Sequence, residues 1–185
     1  EISSYSPSIR AKKYLARTFQ TVKLADSLSA RENVMLHVRG QAGSRLFAAV
    51  ALRLRWREEE RRVLNAADTV LAKLSVEQLA LEPSEQLSFG QRKLVAFCGA
   101  LISRSAVMLL DEPFTGVDLA KARLIADNLR GLANEGRHVL FVEHNMTMVA
   151  HIAARVLALD RGCLIADGLP GDVLGSNRLA GAYLE

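Results

Sequence analysis

Two carboxylates stand side by side at Asp111 and Glu112, directly after the apolar run Ala106-Val107-Met108-Leu109-Leu110. A second apolar run, His138-Val139-Leu140-Phe141-Val142, ends in Glu143 and His144. A charge at the mouth of a buried strand is costly in low dielectric, so it needs a reason to be there. Magnesium carrying a nucleotide would supply one. Asp111 would hold the metal, usually through water, and Glu112 would orient and deprotonate the attacking water. The ordinary alternative is a helix N-cap followed by a first-turn acid, and only the surroundings of the pair decide. Upstream, Leu87-Ser88-Phe89-Gly90-Gln91 leads into an apolar helix through Leu94, Val95, Phe97, Leu101 and Ile102. Ser88 is placed to cap that helix, and Gly90 lets backbone approach a ligand, so the helix N-terminus is a site for a phosphate group. Taken alone, a Ser-x-Gly at a helix start is a common cap.

The elements that must position these residues follow from periodicity. Pro7 to Lys13 reads as a short helix leading into a brief strand, Leu15-Ala16-Arg17-Thr18-Phe19, that ends at Gln20. Ser29-Ala30-Arg31-Glu32 is a capping box, which predicts a helix carrying Val34, Leu36 and Val38. Gly40 to Ser44 reads as a loop, and Arg45 to Leu74 as helical, with Val63, Ala67, Val70 and Leu74 on one side. No strand signal occurs between about Ser29 and Leu87, so this block is expected to form a helical subdomain. The two apolar runs, separated by an amphipathic helix from about Ala120 to Asn134, predict a βαβ unit in a parallel sheet buried on both faces. Ala154 to Leu159 and Leu164 to Ala166 read as further strands. In open α/β sheets, ligands sit beyond the carboxyl ends of the strands, where Asp111, Glu112 and His144 fall.

Composition bounds the rest. A chain of 185 residues can bury one good core with a small appended subdomain. It is 50% hydrophobic, yet no run reaches the ~18–20 apolar residues needed to span a bilayer. Net charge is +4, from 24 basic and 20 acidic side chains. The signs are interspersed, and in the densest stretch Glu58 can pair with Arg62 across one helical turn, so a solvated helix face is expected and nucleic acid is not. Cys98 and Cys163 are in no metal-ligand spacing; two buried free thiols in a reducing, cytoplasmic compartment are the expectation. No signal peptide is expected from these residues. The chain begins with Glu1 in mid-pattern, and its start is expected to have been cut away.

Leu87-Ser88-Phe89-Gly90-Gln91, then Leu109-Leu110-Asp111-Glu112-Pro113, then Gly116-Val117-Asp118, then His144, is an order that resembles ATP-binding cassette (ABC) ATPases. Gln20 falls where that family has its Q-loop. The resemblance spans essentially the whole chain. It implies an α/β, P-loop NTPase-like (RecA-like) parallel sheet with an inserted helical subdomain, its N-terminal portion missing. It divides the chain into a core remnant over 1–28, a helical subdomain over 29–86, signature helix and core over 87–160, and a C-terminal extension over 161–185. It also implies ATP and Mg2+ as cofactors. Gln20 would sense the metal and the attacking water; Ser88, Gly90 and Gln91 would contact the γ-phosphate held by an opposite subunit. Asp111 would serve magnesium, Glu112 would be the catalytic base, Asp118 would lie between subunits, and His144 would bond the γ-phosphate. The partners would be a second ATPase subunit and transmembrane permease subunits, placing the protein on the cytoplasmic face of the membrane. His37, His138 and His151 match no motif and read as surface or core residues.

Three departures stand out. The signature's third residue, usually glycine, is Phe89, as in some importer ATPases. The D-loop reads Gly-Val-Asp where Ala-Leu-Asp is commoner. No Gly-x-x-x-x-Gly-Lys-Ser/Thr occurs in the chain, so the loop that cradles the β- and γ-phosphates is absent from it. Within the family, Ala16 to Gln20, Glu32-Asn33-Val34, the long insertion from Leu46 to Leu64, and the stretches Val142 to Met146, Ala166 to Gly168 and Ala182 to Leu184 resemble ATPases of branched-chain amino acid importers. Pro113 to Asp118 is closer to metal-import and lipopolysaccharide-export ATPases. The resemblance therefore implies ATP hydrolysis coupled to transport, with a non-catalytic cassette that only binds partners as the alternative.

Overall fold

The structure is a computed structural model and describes residues 3–18, 22–38 and 53–176. The chain divides into two units, Glu1–Val142 and Glu143–Glu185. Gln20, the expected loop Gly40 to Ser44 and the expected helical stretch from Arg45 to Leu52 lie outside the described residues.

In the first unit, helix α1 (Pro7–Lys13) starts with proline in its first turn, where a missing N–H costs nothing, and leads into strand β1 (Leu15–Arg17). Helix α2 (Ala30–Met35) begins at the expected capping box: Ser29 Oγ accepts from the Glu32 amide, and the Glu32 carboxylate accepts from the Ser29 amide. It is shorter than the sequence suggests. Leu36 and Val38 fall in the turn that follows, and Leu36 is exposed. Helix α3 (Arg53–Lys73) presents Ala67, Val70 and Leu71 to the interior, with Leu74 just beyond its end. Glu58 and Arg62 pair as expected on its solvated face. Helix α4 (Phe89–Ile102) is buried along most of its length, and α2, α3 and α4 pack on one another. Cys98 sits inside this helical layer and donates its thiol to the Val70 carbonyl.

Strands β1, β2 (Val107–Asp111) and β3 (His138–Val142) form a parallel sheet in that order, with Leu109 opposite both Arg17 and Leu140. Helix α5 (Leu119–Asn134), capped by Asp118 and ended at Gly136 (φ +78), connects β2 to β3 and completes the expected βαβ unit. Burial on both faces is not reached: β2 buries Met108 and Leu110 on one face and half-buries Val107, Leu109 and Asp111 on the other, while on β3 Leu140 and Val142 are 56% and 63% exposed. β2 is the central strand, whereas β3 is the outer strand of the described sheet.

The second unit contains helix α6 (Met146–Ile152), strands β4 (Val156–Asp160) and β5 (Cys163–Gly168), and helix α7 (Pro170–Leu174). β4 and β5 form an antiparallel hairpin. Both turn residues, Arg161 and Gly162, have positive φ, the geometry whose twist suits a two-residue hairpin. Arg155 grips both oxygens of Asp167 across the strands at 2.7 and 2.6 Å, and the guanidinium holds that carboxyl below the usual aspartate range. Cys163, expected to be buried, is exposed on β5, because short antiparallel strands leave one face open.

Candidate functional site

Asp111 is the last residue of β2, half-buried, and its amide donates to the Thr18 hydroxyl at the end of β1 at 3.4 Å. Glu112 follows in a turn. The helix-cap reading of this pair does not hold, since the next helix begins only at Leu119 and is capped by Asp118. Glu112 has φ +46, a left-handed backbone that bulky residues rarely adopt. The turn is held from three sides. The Glu112 amide donates to the Val142 carbonyl at 2.9 Å, and the Thr115 amide donates to the Glu112 carbonyl at 3.3 Å. The Thr115 hydroxyl donates to the Glu112 carboxylate at 3.4 Å. From α4, the Lys93 ammonium donates to the carbonyls of Glu112 and Thr115 at 2.5 and 2.9 Å.

Ser88 caps α4 as expected, and the structure adds a second capping box. Ser88 Oγ accepts from the Gln91 amide at 3.3 Å, and the Gln91 side chain accepts from the Ser88 amide at 2.8 Å. This helix end packs against the turn after Glu112. A Cβ on Gly90 would overlap the Gly116 carbonyl oxygen, so the bareness of Gly90 has an intramolecular reason. Gly116 has φ +78, and a Cβ there would press on the Phe89 ring at 2.9 Å. Phe89 is thus a lid on the D-loop glycine, with the Lys93 ammonium 5.5 Å from its ring centre. Asp118 accepts from the Lys121 amide at 2.9 Å and opens α5.

The structure therefore brings Ser88, Gly90, Gln91, Asp111, Glu112 and Asp118 onto two facing segments, the start of α4 and the turn from β2 to α5. His144 opens the second unit; it is exposed, and its amide donates to the Glu143 carboxylate at 3.2 Å ahead of the Asn145-capped helix α6. Sequence reasoning did not single out Lys93. The signal was its helical spacing, since Lys93, Phe97 and Ala100 share one buried stripe. It also missed Arg92, whose guanidinium donates to the Ser84 carbonyl at 2.8 Å and to Asp26 at 2.7 Å, tying α4 to the segment after β1.

Residues 3–115 match the ABC transporter family. The chain belongs to that family. A probable branched-chain amino acid transport ATP-binding protein, LivG, of Archaeoglobus fulgidus is 26% identical over 184 residues, covering 100% of this chain and 70% of that protein. The high-affinity branched-chain amino acid transport ATP-binding protein BraF of Pseudomonas aeruginosa is 26% identical over 94% of this chain and 69% of its own length. The cobalt import ATP-binding protein CbiO of Rhodobacter capsulatus is 37% identical over 107 residues, covering 58% of this chain and 38% of that protein. Among solved structures, a nucleotide-free ATP-binding cassette from an ABC transporter superposes with a TM-score of 0.69 at 24% identity, over 100% of this chain and 70% of its own. A cassette solved as a dimer in a post-hydrolysis state with ADP and Pi gives 0.73 at 22% identity, over 90% and 68%. The fold of this ABC chain is accordingly the α/β, P-loop NTPase-like fold expected from its sequence.

Proposed function

We propose that this ABC cassette belongs to an ATPase subunit that powers import of branched-chain amino acids or related amides. The observation that carries the catalytic part is the Glu112 turn: a carboxylate on a left-handed backbone at the mouth of the central strand, fastened to the start of α4. The names and coverage of LivG and BraF support the amino-acid part.

In this reading Glu112 accepts a proton from the attacking water at its carboxylate, and Thr115 steadies one oxygen of that carboxylate. Asp111 faces the same strand end. Mg2+ binds through one or two carboxylates plus phosphate oxygens and water, so a lone half-buried aspartate fits it; no cluster of three or more ligating side chains occurs among the described residues. When bound, the ion offsets charge on the phosphates. Ser88, Gly90 and Gln91 are assigned to a γ-phosphate held by an opposite subunit, with Asp118 between subunits, His144 as a γ-phosphate contact and Gln20 as the link to the helical residues 29–86. The partners are a second ATPase subunit and membrane permease subunits at the cytoplasmic face. No helix among the described residues is long and apolar enough to cross a membrane. The phosphate-cradling loop is not in these 185 residues, so they are expected not to turn ATP over by themselves.

The likeness to CbiO favours a second reading, metal import, and the resemblance of Pro113 to Asp118 to metal-import ATPases points the same way. Uptake separates the two. Deleting the gene is expected to abolish high-affinity uptake of labelled leucine and to leave cobalt uptake unchanged; the reverse pattern would replace the amino-acid reading with the metal one.

A further inference from the structure

Lys93 lies on the buried stripe of α4 and is only 8% exposed. An ammonium taken out of water persists where strong acceptors replace its hydration. Its acceptors include two main-chain carbonyls, those of Glu112 at 2.5 Å and Thr115 at 2.9 Å. They bracket a turn that begins with a left-handed glutamate, a conformation that persists only when its surroundings hold it. The ammonium also lies under the Phe89 ring, which in turn covers Gly116. One cation thus joins the start of α4 to both ends of the Glu112–Thr115 turn.

We infer that Lys93 is a positioning residue for Glu112, holding the backbone from which its carboxylate is presented and fixing that backbone to the helix end that carries Ser88 and Gly90. A charge-assisted hydrogen bond to each carbonyl resists rotation about the Glu112 φ, and a rotation there would swing the carboxylate away from any water it had to deprotonate. The inference rests on the reading of Glu112 as the base. It adds a direct consequence: the geometry of one chain's catalytic turn depends on a residue one helical turn from its own phosphate-contacting serine.

The test compares wild-type full-length gene product with Lys93→Met and Lys93→Arg, by ATP turnover and by hydrogen exchange of the Thr115 and Val117 amides. In Lys93→Met, kcat is expected to fall at least about 10-fold with KM for ATP within about 2-fold, because positioning acts on the transition state rather than on binding. Exchange at Thr115 and Val117 should rise while the amides of α3 stay protected. Lys93→Arg, which restores the cation, should recover most of the turnover. Unchanged kcat and unchanged exchange in Lys93→Met would overturn the inference. So would equal losses in both variants with a lowered Tm and raised KM, which would mark Lys93 as a packing residue only. If wild type shows no ATP turnover, the functional reading fails, and the exchange comparison still decides whether Lys93 holds the turn.

Discussion

Glu112 keeps φ +46 at a cost of about 1–2 kcal/mol relative to an ordinary backbone, while its carbonyl, amide and carboxylate all take part in holding the turn. Glycine would adopt the same conformation without that cost. Glu112→Gly is therefore expected to raise unfolding free energy by about 0.5–1 kcal/mol, relief of strain outweighing added chain entropy. Urea denaturation of the variant checks this, and a destabilised variant would mean that the carboxylate contributes more to the fold than the strain costs. A stabilising change at a residue assigned to catalysis is the expected signature of strain retained for function. The sequence made Asp111 and Glu112 visible as charges after an apolar run, and Ser88 and Asp118 as caps. The positive φ was not visible, because nothing in a glutamate's chemistry selects a left-handed backbone; besides Thr115 within the turn, its partners Val142 and Lys93 lie outside the local segment.

At the scale of elements, two further side chains act as fasteners. Asn33, buried in α2, shares the two hydrogens of its side-chain amide among the carbonyls of Ala25, Leu28 and Ser29 and the Ser84 hydroxyl, and its side-chain oxygen accepts from the Ala25 amide at 2.8 Å. The segment after β1 is thereby folded onto the helical residues. Asn33→Ala would leave the buried Ser84 hydroxyl and the Ala25 amide without this partner, and is expected to cost about 2–3 kcal/mol. Thermal unfolding measures it, and a loss under about 0.5 kcal/mol would mean that water replaces the amide. Lys121 is the second fastener. From the first turn of α5 it donates to the carbonyls of Leu74 and Ser75, at the C-terminal end of α3, where a cation also suits the helix dipole. The capping box before α2 and the helix starts were legible because caps are local signals. Asn33 was quoted only as part of a resemblance, since its four partner residues are spread over Ala25 to Ser84. The exposed face of β3 was not legible either: an apolar run reports strand propensity, not how many neighbours the strand has.

For the whole molecule, the parallel order β1-β2-β3 and the α5 crossover place the Asp111–Glu112 step at a carboxyl edge, where α/β folds bind ligands. That edge and the start of α4 are joined within the first unit, while His144 belongs to the second. The ABC fold explains why residues so distant in sequence as Gly90 and Gly116 pack together, and the relatives explain why ATP turnover is the activity to measure. The most direct measurement is phosphate release from ATP by the full-length gene product, wild type against Glu112→Gln, with nucleotide binding and dimer formation followed in parallel. The account predicts turnover in wild type and a loss of about 10²–10⁴-fold in Glu112→Gln, with ATP still bound and a nucleotide-sandwich dimer accumulating. Near-normal turnover in Glu112→Gln would contradict it by removing Glu112 from the role of base.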